Sequence, residues 1–167
     1  DRSLGAHLAY NGLKQFACSE TQKFGHVTYF WNGNRSGYFD ESLECYQEIP
    51  SDLVPFEQRP WMKAAEITDA TLAHLSQNNC DFARINYANG DMVGHTGDLR
   101  STIISIEALD LALGRLLKGV EQLGGAVLVT ADHGNAEQMF ERDKKSGAIN
   151  YDANGKAKAL TSHTLNK

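Results

Sequence analysis

Residues 82–133 read FARINYANGDMVGHTGDLRSTIISIEALDLALGRLLKGVEQLGGAVLVTADH and outline a complete structural unit. The unit begins with the strand-like run 82–88 and ends with the continuous apolar run 126–131, which is typical of a buried parallel strand. Between them, apolar residues recur every three or four positions from Leu99 to Val120, which predicts a long helix. Asp98 is a candidate N-cap, and Gly124 with Gly125 should end the helix.

Strand, helix and strand in this order predict a βαβ unit, and the N-terminal half extends the pattern. It favours a short helix over 4–12, strands over 15–19 and 26–31, and a helix over 62–78. Residues 32–60 hold all three prolines and are interpreted as a surface excursion that covers a site, and the polar residues 141–160 as a second one. We therefore predict an α/β fold, a mainly parallel sheet with helices on both faces.

Composition and charge narrow the class of protein. The chain has 167 residues, of which 41% are hydrophobic and 22% charged, and these values exclude a disordered or fibrous protein. A net charge of −5 disfavours nucleic acid as a partner. No apolar run approaches the ~20 residues that span a bilayer, so we expect no membrane partner. Three scattered cysteines predict reduced thiols in a cytoplasmic protein, and a first residue other than Met suggests a piece of something longer.

Residues 89–98 contain three glycines and are predicted to form a loop after the strand. Carboxylates and imidazoles cluster in this and later loops, at Asp91, His95, Asp132, His133 and His163. In parallel sheets, ligands bind beyond the carboxyl ends of the strands. Mixed oxygen and nitrogen ligands suit Mn²⁺, Zn²⁺ or Co²⁺. Five such ligands exceed the needs of one open site and suit two neighbouring ions, an arrangement used in phosphoryl transfer. From residue types alone, capping and loop hydrogen bonding remain an equally open interpretation.

Four segments, in order, resemble the signatures of one family, the cofactor-independent phosphoglycerate mutases of the alkaline phosphatase superfamily. They are QKFGHVTYFWNG (22–33), NGDMVGHTGD (89–98), VTADHGNAE (129–137) and SHT (162–164). KKSGAINYDANGKAKALTSHT (144–164) resembles the plant and trypanosomatid branch. The resemblance implies an alkaline-phosphatase-like fold without its N-terminal strand and inserted domain. Residues 1–4 would be a hinge remnant, and residues 5–167 the C-terminal portion of the metal-binding phosphatase domain.

The resemblance also implies the metal ligands. Asp91, His95 and His163 match the ligands of one metal ion, and Asp132 with His133 matches two ligands of a second ion, an incomplete site. The implied cofactors are two divalent ions, Mn²⁺ first, with Co²⁺, Zn²⁺ or Mg²⁺ as alternatives, and no 2,3-bisphosphoglycerate.

The implied activity is the interconversion of 3-phosphoglycerate and 2-phosphoglycerate, in glycolysis and gluconeogenesis, through a phosphoserine. Lys23 matches a lysine that contacts the transferring phosphoryl group, whereas the nucleophilic serine and the substrate-binding arginines have no match in this chain. We therefore expect an intact enzyme that is a monomer and an isolated chain that is inactive. The alternatives are another phosphomutase or phosphatase of the superfamily, and a non-catalytic metal-binding piece. His7, His26 and His74 match nothing catalytic.

Overall fold

The computed structural model describes residues 2–77 and 80–166. In chain order its elements are α1 (Leu4–Tyr10), β1 (Gln15–Glu20), α2 (Thr21–Gly25), a π-helical turn (His26–Phe30), β2 (Glu44–Ile49), a 3₁₀ turn (Phe56–Gln58), α3 (Ala64–Gln77), β3 (Phe82–Asn86), α4 (Asn89–Gly94) and α5 (Leu99–Gln122). The expected last residue of the helix over 62–78 lies outside the described residues.

The sheet has the order β2-β1-β3, and both pairings are parallel. Gln15 lies opposite Glu44 on one side and Phe82 on the other, so β1 is the central strand. All six residues of β1 are buried. Phe16 and Cys18 of this strand pack with Ile67 of α3 in the hydrophobic core. The predicted parallel sheet with packed helices is confirmed.

Helix α5 begins and ends where the sequence predicts. The carboxylate of Asp98 accepts a hydrogen bond from the Ser101 backbone N–H at 2.6 Å, which caps the helix. At the other end Gly124 has a φ of +73°, a left-handed conformation that favours glycine. A Cβ atom at Gly119 would lie 2.4 Å from Leu72 Cδ2, so glycine permits the close packing of α5 on α3. Within the described ranges, no helix is both long and apolar enough to cross a membrane.

The predicted strand over 26–31 is wrong, because these residues continue α2 as a π-helical turn. The hydroxyl of Thr28 donates to the carbonyl oxygen of Phe24 at 2.7 Å, four residues back, as in a helix. Arg84 of β3 donates through Nε to the Val27 carbonyl oxygen at 2.6 Å and holds the turn against the sheet. The local bond of Thr28 and the tertiary bond of Arg84 together override the β propensity of the aromatic and branched side chains.

Two segments expected to be irregular contain regular structure. The surface excursion over 32–60 includes β2, which pairs along its whole length with β1. This strand is polar and mostly exposed, as an edge strand can be, so it carries no apolar signal. Part of the loop expected over 89–98 is α4.

The strand predicted over 126–131 is also wrong for this structure. The segment joins no ladder, and its side chains are exposed, including Leu128 at 93% and Val129 at 58%. β3 pairs with β1 along one edge, and across the described part of the chain its other edge has no strand partner. The side chains of a parallel strand are buried by helices on the faces of the sheet, and this segment, which pairs with no described strand, has no place in that sheet.

We expect Ile67→Ala and Leu128→Ala to differ sharply in their effect on folding. Ile67 is fully buried, so its truncation should lower the free energy of unfolding by about 2–5 kcal/mol. Leu128 is exposed, so its truncation should change that free energy by less than about 0.5 kcal/mol. Urea unfolding of the 167-residue chain measures both. Equal losses would show that Leu128 is buried in solution.

Candidate metal centre

Two of the predicted ligands, Asp91 and His95, are held one helical turn apart. Asp91 lies within α4, and His95 is its C-terminal cap, so both side chains face the same side. His95 Nε2 lies 3.0 Å from Asp91 Oδ1. α4 follows β3 after two residues, which places the pair at the carboxyl edge of the sheet. The pair therefore rests on a helix rather than in the loop that the glycines suggested.

His163 reaches the same point from the C-terminal segment. Its Nε2 lies 2.8 Å from Asp91 Oδ1 and 3.1 Å from His95 Nε2. One ligand atom from each of Asp91, His95 and His163 lies within 4.8 Å of the others. The three side chains come from positions up to 72 residues apart in sequence.

The donor chemistry of this group fits a divalent metal ion. His95 Nδ1 lies 2.6 Å from the Thr161 carbonyl oxygen, which can only accept, so the imidazole proton sits on Nδ1. In a neutral imidazole with this tautomer, Nε2 of His95 is the nitrogen that could coordinate a metal ion. One carboxylate and two imidazoles with open positions suit Mn²⁺, Co²⁺ or Zn²⁺.

Asp132 and His133 lie directly beside this group. The His133 ring stacks on the His163 ring, with the centroids 3.6 Å apart and the planes 19° from parallel. His133 Nε2 lies 3.8 Å from Asp91 Oδ1 and 3.5 Å from Asp132 Oδ1. The structure thus brings all five predicted ligands to one edge of the sheet.

Lys23 approaches the centre from the opposite side, on α2. Its Nζ lies 2.5 Å from Asp91 Oδ2, and the residue is only 7% exposed. α2 directly follows β1, the central strand, and so sits at the same carboxyl edge as α4. A nearly buried ammonium group is therefore placed among the predicted ligands.

Asn135 is a site residue to which the sequence analysis assigned no role, although it lies within the 129–137 motif. Its Nδ2 donates at 3.2 Å to both the Asp91 carbonyl oxygen and Asp91 Oδ1. A Cβ atom at Gly94 would lie 2.4 Å from Asn135 Oδ1, so that glycine allows the amide to pack against α4. Asn135 is 4% exposed and fixes the rotation of the Asp91 carboxylate.

The groups around Asp91 lower the pKa of its carboxyl group. Burial alone would raise the pKa of this carboxyl, but hydrogen bonds from Lys23 and Asn135 and the charge of Lys23 outweigh it. The pKa of Asp91 falls from 3.8 to about 2. The group is a carboxylate throughout the range in which proteins work, as a metal ligand must be.

We expect Asp91→Asn to change the pH dependence of stability in the presence of a chelator. A carboxyl with a lowered pKa stabilises the folded chain above its unfolded pKa of 3.8, and this stability is lost as the pH falls towards about 2. At higher pH, loss of this carboxylate should lower the free energy of unfolding of Asp91→Asn by roughly 2 kcal/mol relative to the wild type. This difference should shrink as the pH falls from 3.8 towards about 2. Unfolding curves at several pH values measure it. Asp110→Asn, exposed on α5, is the control, and a pH-independent deficit for Asp91→Asn would contradict the expectation.

The sequence of this chain is similar to those of known proteins. Relatives that match most of this chain include a probable 2,3-bisphosphoglycerate-independent phosphoglycerate mutase of Leptospira interrogans, 55% identical over 99% of the chain, and the phosphoglycerate mutase of Trypanosoma brucei, 55% identical over 98%. The chain spans about 30% of the length of these relatives.

A solved structure gives the same result. The crystal structure of Leishmania mexicana phosphoglycerate mutase at low cobalt concentration matches with a TM-score of 0.93 and 53% identity, over 96% of this chain and 29% of that one. The present chain is thus similar to one portion of a larger phosphoglycerate mutase. The model of the metalloenzyme superfamily matches residues 1–167, and the chain belongs to that superfamily.

Proposed function

We propose that this chain is the metal-binding part of a phosphoglycerate mutase that interconverts 3-phosphoglycerate and 2-phosphoglycerate without 2,3-bisphosphoglycerate. The observation that carries the proposal is the convergence of Asp91, His95 and His163 within 4.8 Å, beside the Lys23 ammonium group. Identities of 51–55% to proteins with this name support it. The phosphoryl group would pass through a phosphoserine, and the serine would come from outside residues 1–167.

In this proposal, Asp91, His95 and His163 hold one divalent ion, and Asp132 with His133 contributes to a second. Divalent ions at such a site lower the pKa of a hydroxyl nucleophile and neutralise charge on the phosphoryl oxygens. Mixed imidazole and carboxylate ligands favour Mn²⁺, Co²⁺ or Zn²⁺ over Mg²⁺. With its Nδ1 proton donated to the Thr161 carbonyl oxygen, His95 would coordinate the ion through Nε2.

Lys23 supplies the positive charge that does not depend on a metal. Its ammonium group has three donors, and Asp91 accepts from it at 2.5 Å. Among the residues that the structure describes, Asp91 is the partner of this group, which leaves the remaining donors to hold phosphoryl oxygens. A fixed charge in a shielded place stabilises a transition state strongly. Because Lys23 is almost fully buried, its position is set before the substrate binds.

The remaining expectations follow from the same proposal. Residues 1–4 are a hinge remnant, and residues 5–167 are the C-terminal portion of a phosphatase-type domain. The intact enzyme is a cytoplasmic monomer that takes a phosphoglycerate as its substrate. The chain alone is inactive, because neither the nucleophile nor the groups that orient the substrate lie within it.

We expect His163→Ala to abolish turnover in the full-length protein. Loss of this ligand removes several kcal/mol of charge stabilisation by the metal ion, which corresponds to a fall in kcat/KM of at least about 100-fold. His74 serves as the matched control, because this half-buried residue stacks its ring on the core residue Phe16, with the ring centroids 4.1 Å apart. His74→Ala should lower the unfolding temperature but leave kcat/KM nearly unchanged.

Interconversion of the two phosphoglycerates, followed by phosphorus NMR with and without chelator, measures both variants. Chelation should stop the wild-type enzyme. Release of inorganic phosphate without isomerisation would support a phosphatase of the superfamily instead. Unchanged turnover by His163→Ala would contradict the proposal.

We expect the 167-residue chain to bind one Mn²⁺, Co²⁺ or Zn²⁺ ion more tightly than a second. The first position has three ligands from this chain and the second has two. Binding should weaken as the pH falls, because imidazole must be neutral to coordinate a metal. Titration calorimetry at two pH values is the measurement. Two equal sites, or none in a folded sample, would contradict this expectation.

A further inference from the structure

The carboxylate of Glu137 joins the two segments that carry His133 and His163. Its Oε1 accepts hydrogen bonds from the Thr164 hydroxyl and, at 3.0 Å, from Asn166 Nδ2. Its Oε2 accepts from the Asn135 backbone N–H at 2.6 Å. We refer to Glu137, Thr164 and Asn166 as the Glu137 latch. None of the three is among the predicted metal ligands.

The backbone is built around this latch. Gly134 and Thr164 form an antiparallel bridge, with N–O distances of 3.3 and 2.9 Å. A Cβ atom at Gly134 would lie 2.2 Å from Thr164 Oγ1 and 2.5 Å from Glu137 Oε1. Any larger residue at position 134 would therefore push apart the two groups that the latch joins. Glycine is required there for close approach rather than for backbone conformation.

The bridge lies next to one histidine from each predicted metal position. His133 immediately precedes Gly134, and His163 immediately precedes Thr164. Because the bridge is antiparallel, the two histidines lie diagonally across it, and their imidazole rings stack with the centroids 3.6 Å apart. The side chain of His163 is 48% exposed, so packing alone constrains it little. The Glu137 latch supplies the constraint from outside the centre.

We propose that Glu137 and Thr164 are positioning residues that set the relative placement of the two metal positions by holding His163 against His133. This inference rests on the proposed function, because it takes both histidines to be metal ligands. Groups that orient ligands in this way typically change metal affinity by about 10- to 100-fold when removed. If Glu137 and Thr164 only stabilised the fold, their substitution would lower the free energy of unfolding and leave the metal affinity unchanged.

The test uses the full-length protein and Co²⁺ as the probe. Thr164→Val keeps the shape of the side chain and removes the hydroxyl donor, whereas Thr164→Ser restores that donor. Glu137→Gln keeps one acceptor oxygen but places an amide donor against the Asn135 N–H. Glu121→Gln, exposed in the last turn of α5, is the matched control for loss of a carboxylate. Dissociation constants come from competition with a chelator, and the visible spectrum of bound Co²⁺ reports ligand geometry.

The expected result is a 10- to 100-fold weaker Co²⁺ affinity and an altered spectrum for Thr164→Val and Glu137→Gln. Thr164→Ser and Glu121→Gln should match the wild type. Thermal unfolding in chelator shows that each variant is folded before metal is added. If Glu137→Gln fails to fold, Thr164→Val and Thr164→Ser alone complete the test.

Wild-type affinity and spectrum in Thr164→Val would overturn the inference while leaving the metal centre in place. Weaker binding in Thr164→Val that Thr164→Ser does not restore would also overturn it, because the hydroxyl would then not be the cause. A wild-type protein that binds no Co²⁺ would overturn the proposed function, and this inference with it.

Discussion

The ion pair between Lys23 and Asp91 is the interaction on which the arrangement of the centre depends. The Asp91 carboxylate also accepts from Asn135 and lies within 3.0 Å of the nearest ring nitrogens of His95 and His163. One half-buried carboxylate thus contacts a histidine on its own helix and side chains from three other parts of the chain. Leaving such a charge unpaired would be costly, so these contacts favour the observed arrangement.

The parallel sheet brings these parts together. β1 leads into α2 and Lys23, and β3 leads into α4 and Asp91, so adjacent parallel strands deliver opposite charges to the same edge. The bridge between Gly134 and Thr164 adds the C-terminal segment. Each of these side chains is held by a helix or by a hydrogen-bonded bridge. Such rigid support fixes the distances between the side chains, as a metal site or a phosphoryl-binding site requires.

Several features followed directly from local sequence. α5 has an apolar repeat, an Asp98 cap and a terminal Gly124, and all three act within one helix, so its ends were predicted closely. β1 is buried on both faces, and its apolar residues Phe16, Ala17 and Cys18 lie at the centre of the strand that was predicted over 15–19. The candidate ligands were found from residue types in glycine-rich segments, and the resemblance grouped them before any distance was known.

Residue types and periodicity therefore specified which side chains could act and which helices and strands are locally favoured, because those properties depend on near neighbours in sequence. Contacts between distant segments specified the rest. β2 is an edge strand through its pairing with β1, residues 26–30 form a π-helical turn held by Arg84, and the apolar run at Leu128 stays exposed without a neighbouring strand. A hydrophobic side chain favours burial, but it is buried only where another segment of the folded chain packs against it. Which segments pack together is decided by contacts between residues distant in sequence.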